Sequence, residues 1–265
     1  MSVRKTSFGP VVAEFRRVFD VFRARVDPDY RHEQDTARSM TFDMDPEFLE
    51  IFEATKRFTL TTMPRMYSLY EATKFVVENK IRGDIVECGV WRGGSVMLIC
   101  RTLLSLGVTD RRIFLYDTFE GMSRPTEKDV TWTNKNAMDL WIKHYDGERC
   151  NWTYSDIDEV RRNVASTRYP ENELHFVKGK VEDTLPGCIP EEISILRLDT
   201  DFYESTRHEL IHLFPRLVSG GILAIDDYGS YRGCREAVDE YFDENNVAML
   251  LNRVDASGYR IGIKK

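Results

Sequence analysis

Apolar residues recur along this chain at two spacings, and the change between them falls near residue 80. Before it the spacing is helical. Val11, Phe15, Val18, Phe19 and Phe22 share one face of a helix predicted over 10–25. Phe48, Leu49 and Phe52 belong to a second, beginning at Pro46 with Asp45 placed to cap it. Met66, Leu69, Tyr70, Thr73, Phe75 and Val76 predict a third over 64–79, while 27–44 is polar without a period. Beyond residue 80 short apolar runs alternate with helical ones. Strands are predicted at 84–88 (DIVEC), 112–116 (RIFLY), 174–177, 193–198 (ISILRL), 221–225 (GILAI), 248–251 and 259–263. Helices are predicted at 95–106, 157–165, 205–214 and 231–243. This alternation implies an α/β fold: a doubly wound, Rossmann-like seven-stranded sheet with helices on both faces. The last two strands suit an antiparallel edge hairpin through Asp255 and Gly258. Residues 121–154 are polar and aromatic, and too long for a routine connection.

Composition changes this picture little. The 265 residues are 42% apolar and 31% charged, ordinary for a soluble globular protein. A formal net charge of -7 argues against nucleic acid or an anionic membrane as the partner. No run approaches the roughly 20 apolar residues of a membrane helix. Arg4 and Lys5 are followed by no apolar block, so no secretory leader is expected. Five separated cysteines without a C-x-x-C pair point to reduced thiols in a cytoplasm, not to zinc or disulfides.

The chemistry gathers at strand ends, where open α/β sheets bind ligands. The first strand runs into Glu87-Cys88-Gly89-Val90-Trp91-Arg92-Gly93-Gly94-Ser95. Gly89 permits a tight turn, the later glycines permit close approach, and Ser95 is placed to start a helix. This is not G-x-G-x-x-G, and Glu87 would repel a pyrophosphate; it suits a cationic ligand such as a sulfonium. A Gly-rich turn without a ligand is the bland alternative. Asp117, ending the second strand, has the position of a ribose-binding acid, or of a simple cap. Lys178-Gly179-Lys180 follows the third strand, where an adenine edge would lie. The fourth strand ends in Asp199-Thr200-Asp201 and the fifth in Asp226-Asp227. So many carboxylates require protons, basic partners or a metal. Oxygen donors alone point to a hard cation such as Mg²⁺, Mn²⁺ or Ca²⁺; the alternative is that Asp226 and Asp227 cap the next helix. A hydroxyl near such a cation becomes a better nucleophile, and Asp201 is proposed as the base that takes its proton.

Together, DIVECGVWRGGS (84–95), LYDTFEGM (115–122), KGKVEDTLP (178–186), LRLDTDFYEST (196–206) and SGGILAIDDYG (219–229) resemble the macrocin O-methyltransferase (TylF-type) family. The resemblance spans about residue 60 to the C-terminus. It implies an S-adenosylmethionine (SAM)-dependent O-methyltransferase acting on sugar hydroxyls of glycosylated natural products in antibiotic-type biosynthesis. It implies Mg²⁺ on Asp199, Asp226 and Asp227, with Asp201 as base. It implies SAM contacts from Glu87, Cys88, Gly89, Val90, Trp91, Ser95, Asp117, Gly179 and Lys180, and from Thr62 and Met63, which match a string that closes over SAM. Residues 1–80 are then an N-terminal cap or dimerisation segment of the same unit, and 81–265 a SAM-dependent methyltransferase domain. A homodimer or higher homo-oligomer is expected. The resemblance fits least at 125–154, read as a substrate lid within 121–154, whose Trp132, Trp141, Tyr145 and Trp152 can stack on a sugar or pack in an interface. The lysine that catechol O-methyltransferase carries three residues after its first metal aspartate is here Phe202. Three alternatives stay open: a phenol acceptor, a nicotinamide-dependent oxidoreductase, and a non-catalytic SAM- or carbohydrate-binding module.

Overall fold

The computed structural model describes residues 41–265. The helix predicted over 10–25 and most of the polar segment 27–44 lie outside the described residues. The chain divides between Pro46 and Glu47. Of the first unit the described part is a turn leading to Pro46; all that follows concerns the second. Helix α1 (Pro46–Thr55) buries Phe48, Ile51 and Phe52, and α2 (Met63–Glu78) buries Met66, Leu69, Tyr70, Thr73 and Val76, so the predicted apolar faces are the packed ones.

Seven strands form one sheet: β1 (Asp84–Cys88), β2 (Ile113–Asp117), β3 (Leu174–Lys178), β4 (Ile193–Leu198), β5 (Leu217–Ile225), β6 (Asn252–Arg253) and β7 (Arg260–Ile263), in the order β3-β2-β1-β4-β5-β7-β6. The first five are parallel; β7 runs antiparallel to β5 and β6. The crossovers carry α3 (Gly94–Ser105), α4 (Ala137–His144), α5 (Ile157–Ala165), α6 (Val181–Thr184), α7 (Tyr203–Leu213) and α8 (Arg232–Glu244). Strand side chains alternate between faces. Val86, Cys88, Leu196, Leu198, Leu223 and Ile225 pack against Leu210 and Leu213 of α7 and Val238 and Tyr241 of α8. The opposite face carries Glu87 and Arg197 and lies toward α2 and α3. Apart from Asp84 at the start of β1, paired with Arg112, these two ionisable side chains interrupt strands buried along their length, the exception to the pattern of parallel strands covered on both faces.

Two expectations need correction. The strand predicted at 248–251 is not one: β6 is a two-residue pairing at Asn252–Arg253. Val247, Met249 and Leu251 still face the core alternately, so the period-2 pattern is satisfied by packing without ladder hydrogen bonds. The segment 121–154, read as polar and aromatic and assigned no helix, contains α4, whose Asn136 side chain accepts from the Met138 amide at 2.8 Å. Its helical run is short and half-exposed, which leaves a weak periodic signal.

Candidate active site

Strand register assembles the site. Cys88, Leu198 and Ile225 are aligned neighbours on β1, β4 and β5, so Gly89, Asp199 and Asp226 leave the sheet side by side. The Asp199 amide donates to the Cys88 carbonyl at 2.8 Å and the Asp226 amide to the Leu198 carbonyl at 2.9 Å. This is where the chain order reverses, between β1 and β4, the usual crevice of such sheets. Gly89 adopts φ 83° and a Cβ there would lie 1.9 Å from the Asp199 carbonyl oxygen, so no side chain fits between the two strand ends.

One residue back, Glu87 and Arg197 are direct partners in the β1–β4 register. Arg197 Nη1 donates to Glu87 Oε1 at 2.5 Å and to Asp199 Oδ2 at 2.7 Å; Nη2 donates to Asp226 Oδ1 at 2.6 Å and to Thr61 Oγ1 at 3.0 Å. Arg65, from α2, pairs with the other oxygen of Asp226. Two guanidiniums thus face Glu87, Asp199, Asp201, Asp226 and Asp227, and negative charge remains in excess. Burial pushes the Asp199 and Asp227 carboxyls well up, opposed by Arg197 and Arg65 respectively and reinforced by the neighbouring carboxylates. Asp201 is pushed up to about 7, by burial and by Asp226, against a hydrogen bond with Asp227.

The donor set fits a hard divalent cation. Oxygens of Asp199, Asp226 and Asp227 lie within 4.8 Å of one another, and Asp227 Oδ2 is buried without a hydrogen-bond partner among the described residues. No nitrogen or sulfur donor belongs to the group, which disfavours a soft metal.

The cleft beside these acids is lined by Thr59, Leu60 and Thr61, by Gly89, Val90, Trp91 and Ser95, and by Asp117, Gly121, Met122 and Thr153. It continues past Gly179, Lys180 and Val181. Asp117 Oδ2 accepts from the Val90 and Trp91 amides at 2.7 and 3.0 Å, and Oδ1 from the Phe119 amide at 2.7 Å, so it organises the glycine turn as well as facing the cleft. The remaining predicted residues sit differently. Glu87 and Cys88 are fully buried behind the wall, and Glu87 is answered by Arg197 and the Ser95 hydroxyl. Ser95 accordingly serves Glu87, and α3 starts from Gly93 without a side-chain cap. In the segment entering α2 the cleft-lining residues are Thr59–Thr61, while the Thr62 hydroxyl donates to Asp255 at 3.1 Å and Met63 opens the helix.

Sequence reasoning missed Arg65, Arg197 and Asp255. Arg197 did leave a signal, a charge inside the apolar run ISILRL; Arg65 and Asp255, 190 residues apart, left none. In the segment 121–154, Trp141 stacks on Tyr145 at 4.6 Å and donates to the Met122 carbonyl at 3.0 Å. Trp152 packs on Phe202, which packs on Tyr231, and His144 is exposed beside Trp152. Trp132 is 75% exposed.

Comparison with known proteins places the chain in a family. The family described as Macrocin-O-methyltransferase (TylF) matches residues 29–260. Demethyldecarbamoylnovobiocin O-methyltransferase of Streptomyces niveus is 33% identical over 183 residues, 69% of this chain and 67% of its own. The 8-demethyl-8-(2,3-dimethoxy-alpha-L-rhamnosyl)-tetracenomycin-C 4'-O-methyltransferase of Streptomyces olivaceus is 33% identical over the same shares. The solved structure of the O-methyltransferase NovP superposes with a TM-score of 0.70 at 29% identity, covering 78% of this chain and 82% of that one.

Proposed function

Because the chain belongs to the macrocin O-methyltransferase (TylF) family and is a SAM-dependent O-methyltransferase, we propose that it methylates a sugar hydroxyl of a glycosylated natural product, with Mg²⁺ held by Asp199, Asp226 and Asp227. The observation that carries this reading is the convergence of those three carboxylates at the switch point, with one buried oxygen of Asp227 left without a partner among the described residues. The sugar acceptor is supported by the rhamnosyl-directed activity in the name of the Streptomyces olivaceus relative.

SAM supplies an electrophilic methyl group, and a divalent cation supplies Lewis acidity that lowers the pKa of a hydroxyl beside it. The chain's own residues do the rest. Asp201, two residues beyond Asp199 in the acid cluster, accepts the proton of the acceptor hydroxyl. Asp117 holds the Val90 and Trp91 amides in one rigid turn and keeps one acceptor site on Oδ1 for a ribose hydroxyl. Thr59–Thr61 wall the cleft together with that turn and help exclude water. Trp152, Phe202 and Tyr231 form an aromatic side to the acid cluster that can take the apolar face of a sugar ring.

The test is calorimetric titration with S-adenosylhomocysteine and then MgCl₂, followed by turnover on rhamnosylated and catechol acceptors. Saturable binding of both ligands and methylation of the glycosylated acceptor are expected. Methylation of catechols alone would move the reading to phenols. A folded protein that binds neither ligand would remove it.

A further inference from the structure

We infer that Asp255, in the hairpin turn between β6 and β7, and Arg65, in the first turn of α2, are positioning residues that hold the cofactor-covering segment Thr59–Thr61 in place. The inference rests on the SAM-dependent reading of the cleft. Thr59–Thr61 line the cleft together with the glycine turn, but they lie between a three-residue turn and the start of α2, with no strand pairing to fix them. Arg197 Nη2 holds the Thr61 hydroxyl at 3.0 Å, and Thr62, next in the chain, is tied to the far edge of the sheet. Arg65 Nε donates to Asp255 Oδ2 at 2.7 Å, Arg65 Nη2 donates to Ser257 Oγ at 2.7 Å, and the Thr62 hydroxyl donates to Asp255 Oδ2 at 3.1 Å. The Arg65 guanidinium also lies 5.6 Å from the centre of the Tyr259 ring.

The turn is built to present that carboxylate. Asp255 Oδ1 accepts from the Gly258 and Tyr259 amides at 2.9 and 3.3 Å, and Ser257 Oγ donates to Oδ2 at 3.0 Å. The Arg65 and Asp255 side chains are 7% and 9% exposed, so water scarcely competes for the pair. Arg65 reaches Asp226 with its remaining nitrogen. One side chain therefore connects the hairpin and the acid cluster to the first turn of α2, directly after the cofactor wall. Asp255 does not line the cleft and is absent from the candidate metal group. Its effect on the cofactor must pass through Arg65 and Thr62.

The experiment is calorimetric titration of S-adenosylhomocysteine in EDTA, so that no metal contributes, into the full chain and its variants. Asp255→Asn keeps an oxygen for the turn amides and loses the charge facing Arg65. It should weaken binding about tenfold, the scale of a lost charge-assisted hydrogen bond. Arg253→Ala removes donors to the Asp255 and Ala256 carbonyls of the same turn and leaves the carboxylate in place, so it should bind as the parent does. In an Arg65→Gln background Asp255→Asn should add nothing further, because the two act as one unit. Ser257→Ala, milder, should give a smaller loss in the same direction if Asp255→Asn does not fold. Parent-like affinity of Asp255→Asn, or an equal loss with and without Arg65, overturns the inference while leaving the cofactor reading intact. Failure of the folded parent to bind overturns both.

Discussion

At the scale of single residues the proposed chemistry depends on Asp201. It sits at φ 67°, a left-handed conformation that Asn and Asp tolerate better than other side chains. Asp201→Asn should therefore fold normally. It should bind S-adenosylhomocysteine within about twofold of the parent, yet lose roughly 10²- to 10⁴-fold in kcat, the usual worth of general-base catalysis. Single-turnover methylation beside a binding titration checks both parts, and unchanged turnover would take Asp201 out of the mechanism. The aspartates of the proposed metal set are not equivalent. Asp227→Ala removes an unpartnered oxygen and should abolish Mg²⁺ binding with little effect on the cofactor; the parallel Mg²⁺ and S-adenosylhomocysteine titrations distinguish that from general damage. Asp226→Ala would also strip both guanidiniums of a partner, and buried unpaired charge is costly. The four aspartates were legible because Asp199 and Asp226 directly follow apolar runs and Asp201 and Asp227 lie within two residues of those aspartates. Glu87 was legible as an acid at a strand end, but not its neutralisation by Arg197, since cross-strand register is a property of the assembled sheet.

Among elements, the start of the proposed lid is strapped to the turn that carries the acid pair. The Trp132 amide donates to the Ser230 carbonyl and the Arg232 amide to the Val130 carbonyl, both at 2.9 Å. Buried Asp129 accepts from the Thr126 and Tyr203 amides at 2.6 and 2.8 Å. Gly233, in the first turn of α8, leaves the room for it: a Cβ there would lie 2.1 Å from Asp129 Oδ1. Ala in place of Gly within a helix ordinarily gains about 1 kcal/mol, but overpacking of this kind costs about 1–3 kcal/mol, and the contact is too short for a small adjustment. Gly233→Ala should lower Tm by roughly 5 °C and speed tryptic cleavage at Lys128 and Lys135. Unchanged melting and cleavage would mean that Asp129 does not anchor the lid. Elements with a sustained period, α2 and β1 to β5, were readable within a few residues of their ends. The short α4 and the two-residue β6 were not, because a few apolar positions satisfy packing equally well with or without backbone pairing.

Across the whole molecule, the acid cluster makes stability depend on pH and metal. In the folded chain without metal, Asp201 titrates at about 7, against about 4 for an unfolded aspartate. Between those values the folded state binds more protons than the unfolded one, so stability falls as pH rises from about 4 to about 7. Melting in EDTA should accordingly drop between pH 5.5 and 8, and Mg²⁺ should restore roughly 5 °C at pH 8 but little at pH 5.5. Equal melting curves with and without Mg²⁺ at both pH values would remove the metal from the cluster. The sequence by itself determined the α/β class, the strand ends where chemistry gathers and the acids placed there, because period and strand-end position are local properties of the chain. Only the tertiary structure decided that Arg197 lies beside Glu87, that Arg65 joins Asp226 to Asp255, and that Thr59–Thr61 wall the cleft. Those contacts join residues 29 to 190 positions apart, and they exist because register and packing bring β1, β4, β5, α2 and the edge hairpin to one end of the sheet.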